Sequence, residues 1–247
     1  MKLSIVFPIK NQTRKLVDNL VSKGFPAFDR LGITYDVIIV PNGCDQEELD
    51  YLAEAKKSLP AQVKVSDHLV PGGKGKAVRH GFLMSDADYV MFMDADFATD
   101  LEAMKRIVPR LNSADCFIGS RNAKGAKIAQ KQTLLRQIMH GGSRFIIRHM
   151  FGLEEIQDTQ CGFKFFRRAA ILPLLEHQIA MGAAFDVEYL YYLKLNGYSI
   201  VEVPVVWTDD PDSSFAHPAK AAWKFYKELV AIKKNKKNYL LKEDERC

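Results

Sequence analysis

Long apolar runs are missing from this chain. No stretch of its 247 residues approaches the ~20 consecutive apolar residues of a spanning helix. The N-terminal "MKLSIVFPIKNQ" has only five or six apolar residues before Pro8 and Lys10, too few for the apolar region of a secretory signal. Cysteine is scarce as well. Cys44, Cys116, Cys161 and Cys247 form no CxxC pair and share no metal-ligand spacing with histidine, so a disulfide framework and a zinc module are both set aside in favour of reduced thiols. There is no internal repeat, no low-complexity tract and no base-stacking motif, and the basic residues are scattered except at the C-terminus, which argues against a nucleic-acid partner. These absences predict a cytoplasmic protein that is soluble or lies peripherally on the cytoplasmic face of a membrane.

What is present is enough to build a sizeable core. The hydrophobic fraction is 47% and the net charge +5, a mild excess that favours acidic partners. "LSIVF" (3–7), "YDVIIV" (35–40), "QVKV" (62–65), "YVMFM" (89–93) and "DCFIGS" (115–120) read as short strands. Their near-continuous apolar character suits strands buried on both faces of a parallel sheet. Helical spacing falls between them at 12–23, 45–58, 76–84 and 101–111, the last interrupted by Pro109. This alternation predicts a doubly wound α/β fold with a mixed, mainly parallel sheet and helices on both faces. Its ligands should sit beyond the carboxyl ends of the strands. The second half is more mixed: a basic, apolar segment over 130–151, a strand leading into a helix at 162–168, a helix over 185–197 and an extended strand over 199–207 in which Pro204 implies an edge or a bulge. One domain is expected over 1–215, followed by a basic amphipathic helix and tail over 216–247.

Three D-x-D triplets occur. Asp86/Asp88 and Asp210/Asp212 lie in polar, turn-like surroundings and read as solvated or capping acids. Asp94/Asp96 directly follows the apolar run 89–93. Two carboxylates this close repel unless a cation neutralises them, and a hard divalent ion, Mg²⁺ or Mn²⁺, takes oxygen ligands and leaves room for substrate phosphates. On spacing alone, N-capping of the helix at 101 is an equal alternative, although Thr99 and Asp100 are available for that task. "VPGGKGKAVRHGF" (70–82) adds weight to the metal reading. Gly72, Gly73 and Gly75 let backbone amides approach an anion, and Lys74, Lys76 and Arg79 bring positive charge to a helix start. It is not a Walker A loop, since Val70 and Ala77 stand where glycine and Ser or Thr are required.

"VFPIKNQ", "PNGCD", "GGKGKAVRHG", "DADFATD", "GSRN", "DTQCGFKFF" and "FDVEYLYYLKLNGYSIVEVPVVW" follow one another over roughly residues 3–215. Together they resemble the GT-A family 2 glycosyltransferases, in the branch of dolichyl-phosphate β-glucosyltransferases and bacterial polyprenyl-phosphate glycosyltransferases. The resemblance implies a nucleotide-sugar donor, a divalent metal on Asp94 and Asp96, inversion at the anomeric carbon and a polyprenyl-phosphate acceptor. It assigns Pro8, Asn11, Gln12 and the turn at Asn42 and Gly43 to the nucleoside. It assigns Gly73, Lys74, Gly75 and Arg79 to the donor loop, Asp94, Ala95 and Asp96 to ribose and metal-diphosphate, and Asp158 to the reaction centre. The chain departs from the family in Gln12, where Glu is usual, in Pro41-Asn42, where two aspartates are usual, and in lacking the transmembrane helices of many members.

A phosphate acceptor is already anionic and needs no general base, but it needs positive charge to approach a second anion. Arg121, Arg136, Arg144 and Arg148 are candidates for that role. With Lys74 and the metal carrying the leaving diphosphate, the expected reaction is hexose transfer, glucose from UDP-glucose, to a polyprenyl phosphate. The alternatives are another nucleotide-sugar such as GDP-mannose, a hydroxyl acceptor, or a nucleotidyltransferase. Asp158 has a second reading as a turn cap, and Asp186 and Glu188 read as a helix N-terminal pair rather than as a base. Segment 132–152 alternates basic with large apolar residues. The helix over 217–241 sets Trp223, Phe225, Tyr226, Leu229, Val230 and Ile232 among seven lysines, either as an interfacial helix or as a stripe packed on the core. A membrane surface is one expected partner, and a membrane protein or a second copy of the chain another.

Overall fold

The computed structural model describes residues 1–67, 71–129, 134–208 and 218–242, with side chains from 142 onward in the long helix that begins at 134 and from 220 in the one that begins at 218. Val70, Asp210, Asp212 and Cys247 lie outside the described residues, as does the side chain of Arg136.

Strand β1 (Lys2–Ile9) passes through α1 (Thr13–Asn19), a π-helical turn at Leu20–Gly24 and α2 (Phe25–Phe28) to β2 (Thr34–Pro41). Then come α3 (Gln46–Lys56), β3 (Val63–Val65), α4 (Lys74–Met84), β4 (Tyr89–Met93), α5 (Glu102–Ile107), β5 (Cys116–Ser120) and the short β6 (Lys127–Ile128). The second half contributes α6 (Leu134–Phe151), β7 (Phe163–Arg167), α7 (Arg168–His177), α8 (Phe185–Leu195), β8 (Ile200–Pro204), β9 (Val206–Trp207), α9 (Pro218–Lys234) and α10 (Lys236–Tyr239).

Seven strands form one sheet in the order β3-β2-β1-β4-β7-β5-β8. All neighbours are parallel except β7, which runs antiparallel between β4 and β5. β6 and β9 make a separate parallel pair. Prolines set the points where the expected elements break. The helix expected over 101–111 stops at Ile107, and Pro109 sits in the tighter turn after it. The strand expected over 199–207 divides after Pro204, and β8, which among the described residues pairs with β5 alone, is the sheet edge that this proline implied.

Because strand residues alternate faces, the apolar runs build two cores. Val6, Ile38, Val40, Val90, Phe92 and Phe166 face one side, under α4, α7, α8 and the C-terminal helices. Leu3, Ile5, Phe7, Ile39, Met91 and Phe165 face the other, under α1, α2 and α5. Phe166 locks α4 and α8 together on the first face. Its ring meets Phe82 edge-on at 5.8 Å and Tyr189 at 5.6 Å. Phe166→Ala is expected to cost about 3–5 kcal/mol. Urea unfolding checks this, and a loss well under that range would show that the two helices do not depend on this ring.

Candidate active site

The carboxyl ends of β1, β2 and β4 and the start of α4 enclose a cleft of about 310 Å³. Pro8, Lys10 and Gln12 line it from β1, Asn42 from β2, Gly72, Gly73 and Lys74 from the glycine-rich segment, and Asp94 from β4. The backbone is strained on this edge. Asn11 (φ 51°) and Phe97 (φ 53°) are left-handed non-glycine residues, one after β1 and one after β4. Phe97 is held there by stacking on Phe7 at 5.6 Å, and Asn11 by reciprocal bonds with Asp45 of 2.6 and 2.9 Å.

Strand β4 delivers two carboxylates with different tasks. Asp96 Oδ1 accepts from Ala98 N at 3.0 Å and folds the loop back. Asp94 stands at the cleft, 42% exposed, with the Lys74 ammonium on its Oδ1. Its other oxygen lies over Gly162, where a Cβ would collide with the carboxylate, so the glycine of "DTQCGFK" makes room for Asp94. The competing task of capping the next helix falls to Asp100, whose Oδ1 accepts from Ala103 N at 3.2 Å. Burial disfavours the charge on Lys74, but Asp94, then Asp186 and Asp96, outweigh it and raise its pKa. Among the described residues no group of three or more acidic, histidine or cysteine side chains is arranged to hold a metal ion by itself. Asp94 brings one carboxylate to the cleft and Asp96 follows two residues later, donors whose oxygen chemistry fits a hard cation that takes its remaining ligands from phosphate.

Two amides of the glycine-rich segment, those of Gly75 and Lys76, turn away from the cleft. Gly75 N donates to Gly182 O at 3.2 Å and Lys76 N to Met181 O at 3.1 Å. A Cβ at 75 would lie 2.6 Å from Ala180 O and 2.7 Å from Phe185 Cβ. Here glycine permits backbone-to-backbone packing rather than anion contact, and positive charge comes from the Lys74 side chain. Asn42 joins the two loops by donating from Nδ2 to Gly73 O at 2.7 Å. Its Oδ1 is a buried acceptor without a hydrogen-bond partner among the described residues.

Other expected site residues do not line the cleft. Arg79 Nε donates to Leu175 O at 2.5 Å, so this guanidinium ties α4 to α7 instead of lining the donor loop. Ala95 is buried, and its carbonyl accepts from Asn19 Nδ2 at 3.0 Å. Gly43 takes φ 73° in the turn after β2, against Pro71.

Arg121 and Asp158, expected at the acceptor phosphate and the reaction centre, are bound to each other. Nε donates to Oδ2 at 2.7 Å, Nη2 to Oδ1 at 2.8 Å and the Arg121 amide to Oδ2 at 3.0 Å. Trp207 covers the guanidinium at 5.3 Å. Asp158 is 2% exposed and its peptide N–H bonds Glu202 at 2.9 Å. This carboxylate is an anchor for the exit of β5 rather than a group open to substrate, close to its alternative reading as a turn cap.

Asp186 and Glu188 stand in the first turn of α8, as the helix N-terminal reading expects, and each also has a buried partner. Asp186 pairs with the fully buried Lys164 at 2.6 Å. Glu188 accepts from the amides of Ile179 and Ala180 at 2.8 Å each and from the Tyr239 hydroxyl at 2.5 Å. Lys164 was not singled out from sequence, although a lysine among the phenylalanines of "GFKFF" is a visible signal, because a buried ammonium requires a partner. Arg144 and Arg148 line a second cleft, on α6, with Phe145, His149 and Glu154. Phe145 there is 66% exposed.

Comparison with known proteins gives this geometry a class. The sheet and its helices match the GT-A fold of glucosyl-3-phosphoglycerate synthase from Mycobacterium tuberculosis, solved with Mn²⁺ and UDP-glucose (TM-score 0.65, 14% identity, 94% of this chain and 78% of that one). They also match S. aureus TarS, solved with UDP-GlcNAc (TM-score 0.57, 18% identity, 99% and 69%). The model of glycosyl transferase family 2 matches residues 4–174, and the chain belongs to that family. It is thus a glycosyltransferase, and the nucleotidyltransferase alternative falls. Relatives include the dolichyl-phosphate beta-glucosyltransferases of Drosophila melanogaster (31% identity, 85% of this chain and 68% of the relative) and Saccharomyces cerevisiae (27%, 99% and 78%).

The Arg121–Asp158 pair yields a pH-dependent expectation. Burial pushes the Asp158 carboxyl up, but Arg121 more than offsets it and holds the pKa below the ordinary 3.8. A depressed carboxylate contributes stability that is full above its unfolded pKa and is lost as pH falls through the folded one. Asp158→Asn strands the buried guanidinium and is expected to cost about 3–5 kcal/mol at neutral pH. The gap from wild type should narrow below about pH 4. Denaturant unfolding at pH 7 and pH 3.5 measures it, and a gap that does not depend on pH would refute the assignment.

Proposed function

We propose that the enzyme transfers a hexose, glucose from UDP-glucose, to a polyprenyl phosphate with inversion at the anomeric carbon. The observation that carries this reading is the cleft between Asn42, Gly73, Lys74 and Asp94. It combines an ammonium, a carboxylate and an unpartnered buried acceptor at the sheet edge where α/β proteins bind nucleotides. The Asn42 Oδ1 atom suits the imide N–H of uracil, a task that an aspartate would perform with a full charge. Lys74 holds the diphosphate. Asp94 and Asp96 are the residues that would hold Mg²⁺ or Mn²⁺, which when bound neutralises the diphosphate as it leaves. The names of the relatives support glucose as the sugar and a dolichyl-type phosphate as the acceptor.

The acceptor must reach the site from a bilayer, and among the described residues no helix is long and apolar enough to cross one. Two exposed surfaces favour peripheral attachment, on the cytoplasmic face. One is α6, with Arg144, Arg148 and exposed Phe145 and Ile146. The other is α9, which divides its apolar residues. Leu229 and Ile232 are buried in the core, whereas Trp223 and Tyr226 are 59% and 43% exposed, stacked at 5.9 Å, with Lys227 over the indole. Aromatic rings among lysines suit an anionic interface, where each basic residue contributes about 1 kcal/mol.

Purified protein given UDP-glucose, Mn²⁺ or Mg²⁺ and a short polyprenyl phosphate is expected to release UDP. Asp94→Asn and Asp96→Asn are each expected to lower kcat/KM by roughly 10²-fold or more, the scale of losing a charge-stabilising group in the transition state. Donor binding across UDP-, GDP- and dTDP-sugars decides the nucleotide. Donor binding without turnover on any polyprenyl phosphate would end the acceptor assignment.

A further inference from the structure

The start of α4 is held from outside the sheet. Residues 178–184, between α7 and α8, form a strap across it. Gly182 and Met181 carbonyls accept the Gly75 and Lys76 amides, and Gln178 Nε2 donates to Gly75 O at 3.2 Å. The strap's own amides go to two carboxylates. Glu188 takes Ile179 N and Ala180 N. Glu228, midway along α9, takes Gly182 N and Ala184 N, at 3.2 Å each. A Cβ at Gly182 would collide with the Glu228 carboxylate, so the close approach itself requires glycine. Gly182 therefore bonds in both directions, its N–H to α9 and its C=O to the residue after Lys74.

We propose that Glu228 is a positioning residue for donor binding. Through Gly182 and Gly75, this carboxylate sets the first turn of α4 and with it the Lys74 ammonium beside Asp94. Glu228 reaches neither the cleft nor a reacting atom. It acts through two charge-assisted bonds to main-chain amides, which side chains of other chemistry do not reproduce. Glutamine at this position keeps the shape but has one acceptor oxygen for two N–H donors, and its NH₂ opposes the second. The inference concerns donor affinity and so rests on the reading of the cleft as the nucleotide-sugar site.

Two measurements on the full chain test it: donor affinity for UDP-glucose with Mn²⁺ by calorimetry, and hydrogen exchange of the peptide containing Gly75 and Lys76. In Glu228→Gln, affinity is expected to fall about tenfold and those amides to exchange faster. Donor KM should rise, while kcat at saturating donor and the acceptor KM stay near wild type. Gly182→Ala, which pushes the carboxylate away without touching the packed face of α9, should give the same pattern. Lys224→Ala, on the exposed face, should give neither change. A folded Glu228→Gln with wild-type exchange and wild-type donor affinity overturns the proposal, as does a merely lower melting temperature with both readouts unmoved. If the wild type binds no nucleotide-sugar, the reading of the cleft fails. In that case unchanged exchange in both variants also sinks the positioning role, and faster exchange upholds the coupling alone.

Discussion

Lys74, at the start of α4, and Asp94, just after β4, both line the cleft and form an ion pair there. Almost everything near the site bears on that contact. Gly162 leaves room for the carboxylate, the strap at 178–184 pins the helix that carries the ammonium, and Phe92 lies under both Lys74 and Lys164, 5.4 Å from each nitrogen. Asp186, paired with Lys164, adds a second carboxylate behind Lys74. Positive and negative groups thus alternate from the sheet interior to the cleft. This suits the donor site proposed above, where a surplus of either sign would retain the leaving diphosphate or repel the donor.

The outer frame was legible because it depends on pattern. Buried parallel strands are apolar on both faces, so 35–40 and 89–93 could be read almost to the residue. The position of the cleft followed from topology. The contacts inside the frame were less legible because they join residues far apart in the chain. Glycines 73 and 75 had two uses, anion approach or close packing, and only the presence of Met181 and Gly182 opposite them distinguishes the two. Asp158 was found through its motif, but its partner Arg121 lies 37 residues earlier and was read as a separate site. Glu228 lay unremarked in a lysine-rich helix, where an isolated acid resembles a solvated one.

The C-terminal helix shows why one-sided readings of amphipathic segments fail. Interfacial attachment and core packing were posed as alternatives, yet α9 serves the core with Leu229 and Ile232 and presents Trp223 and Tyr226 outward. α10 extends the core role, with Tyr239 buried against Glu188. The two helices therefore belong to the structure of the transferase domain rather than following it as a separate tail. A division at residue 215 describes composition better than folding.

Anomalous diffraction from crystals grown with Mn²⁺ and UDP-glucose tests the central claim most directly. The account predicts one manganese peak on the Asp94 and Asp96 carboxylates, with the diphosphate beside Lys74 and the base against Asn42. Manganese elsewhere, or a nucleotide outside this cleft with the Lys74–Asp94 pair intact, would contradict it.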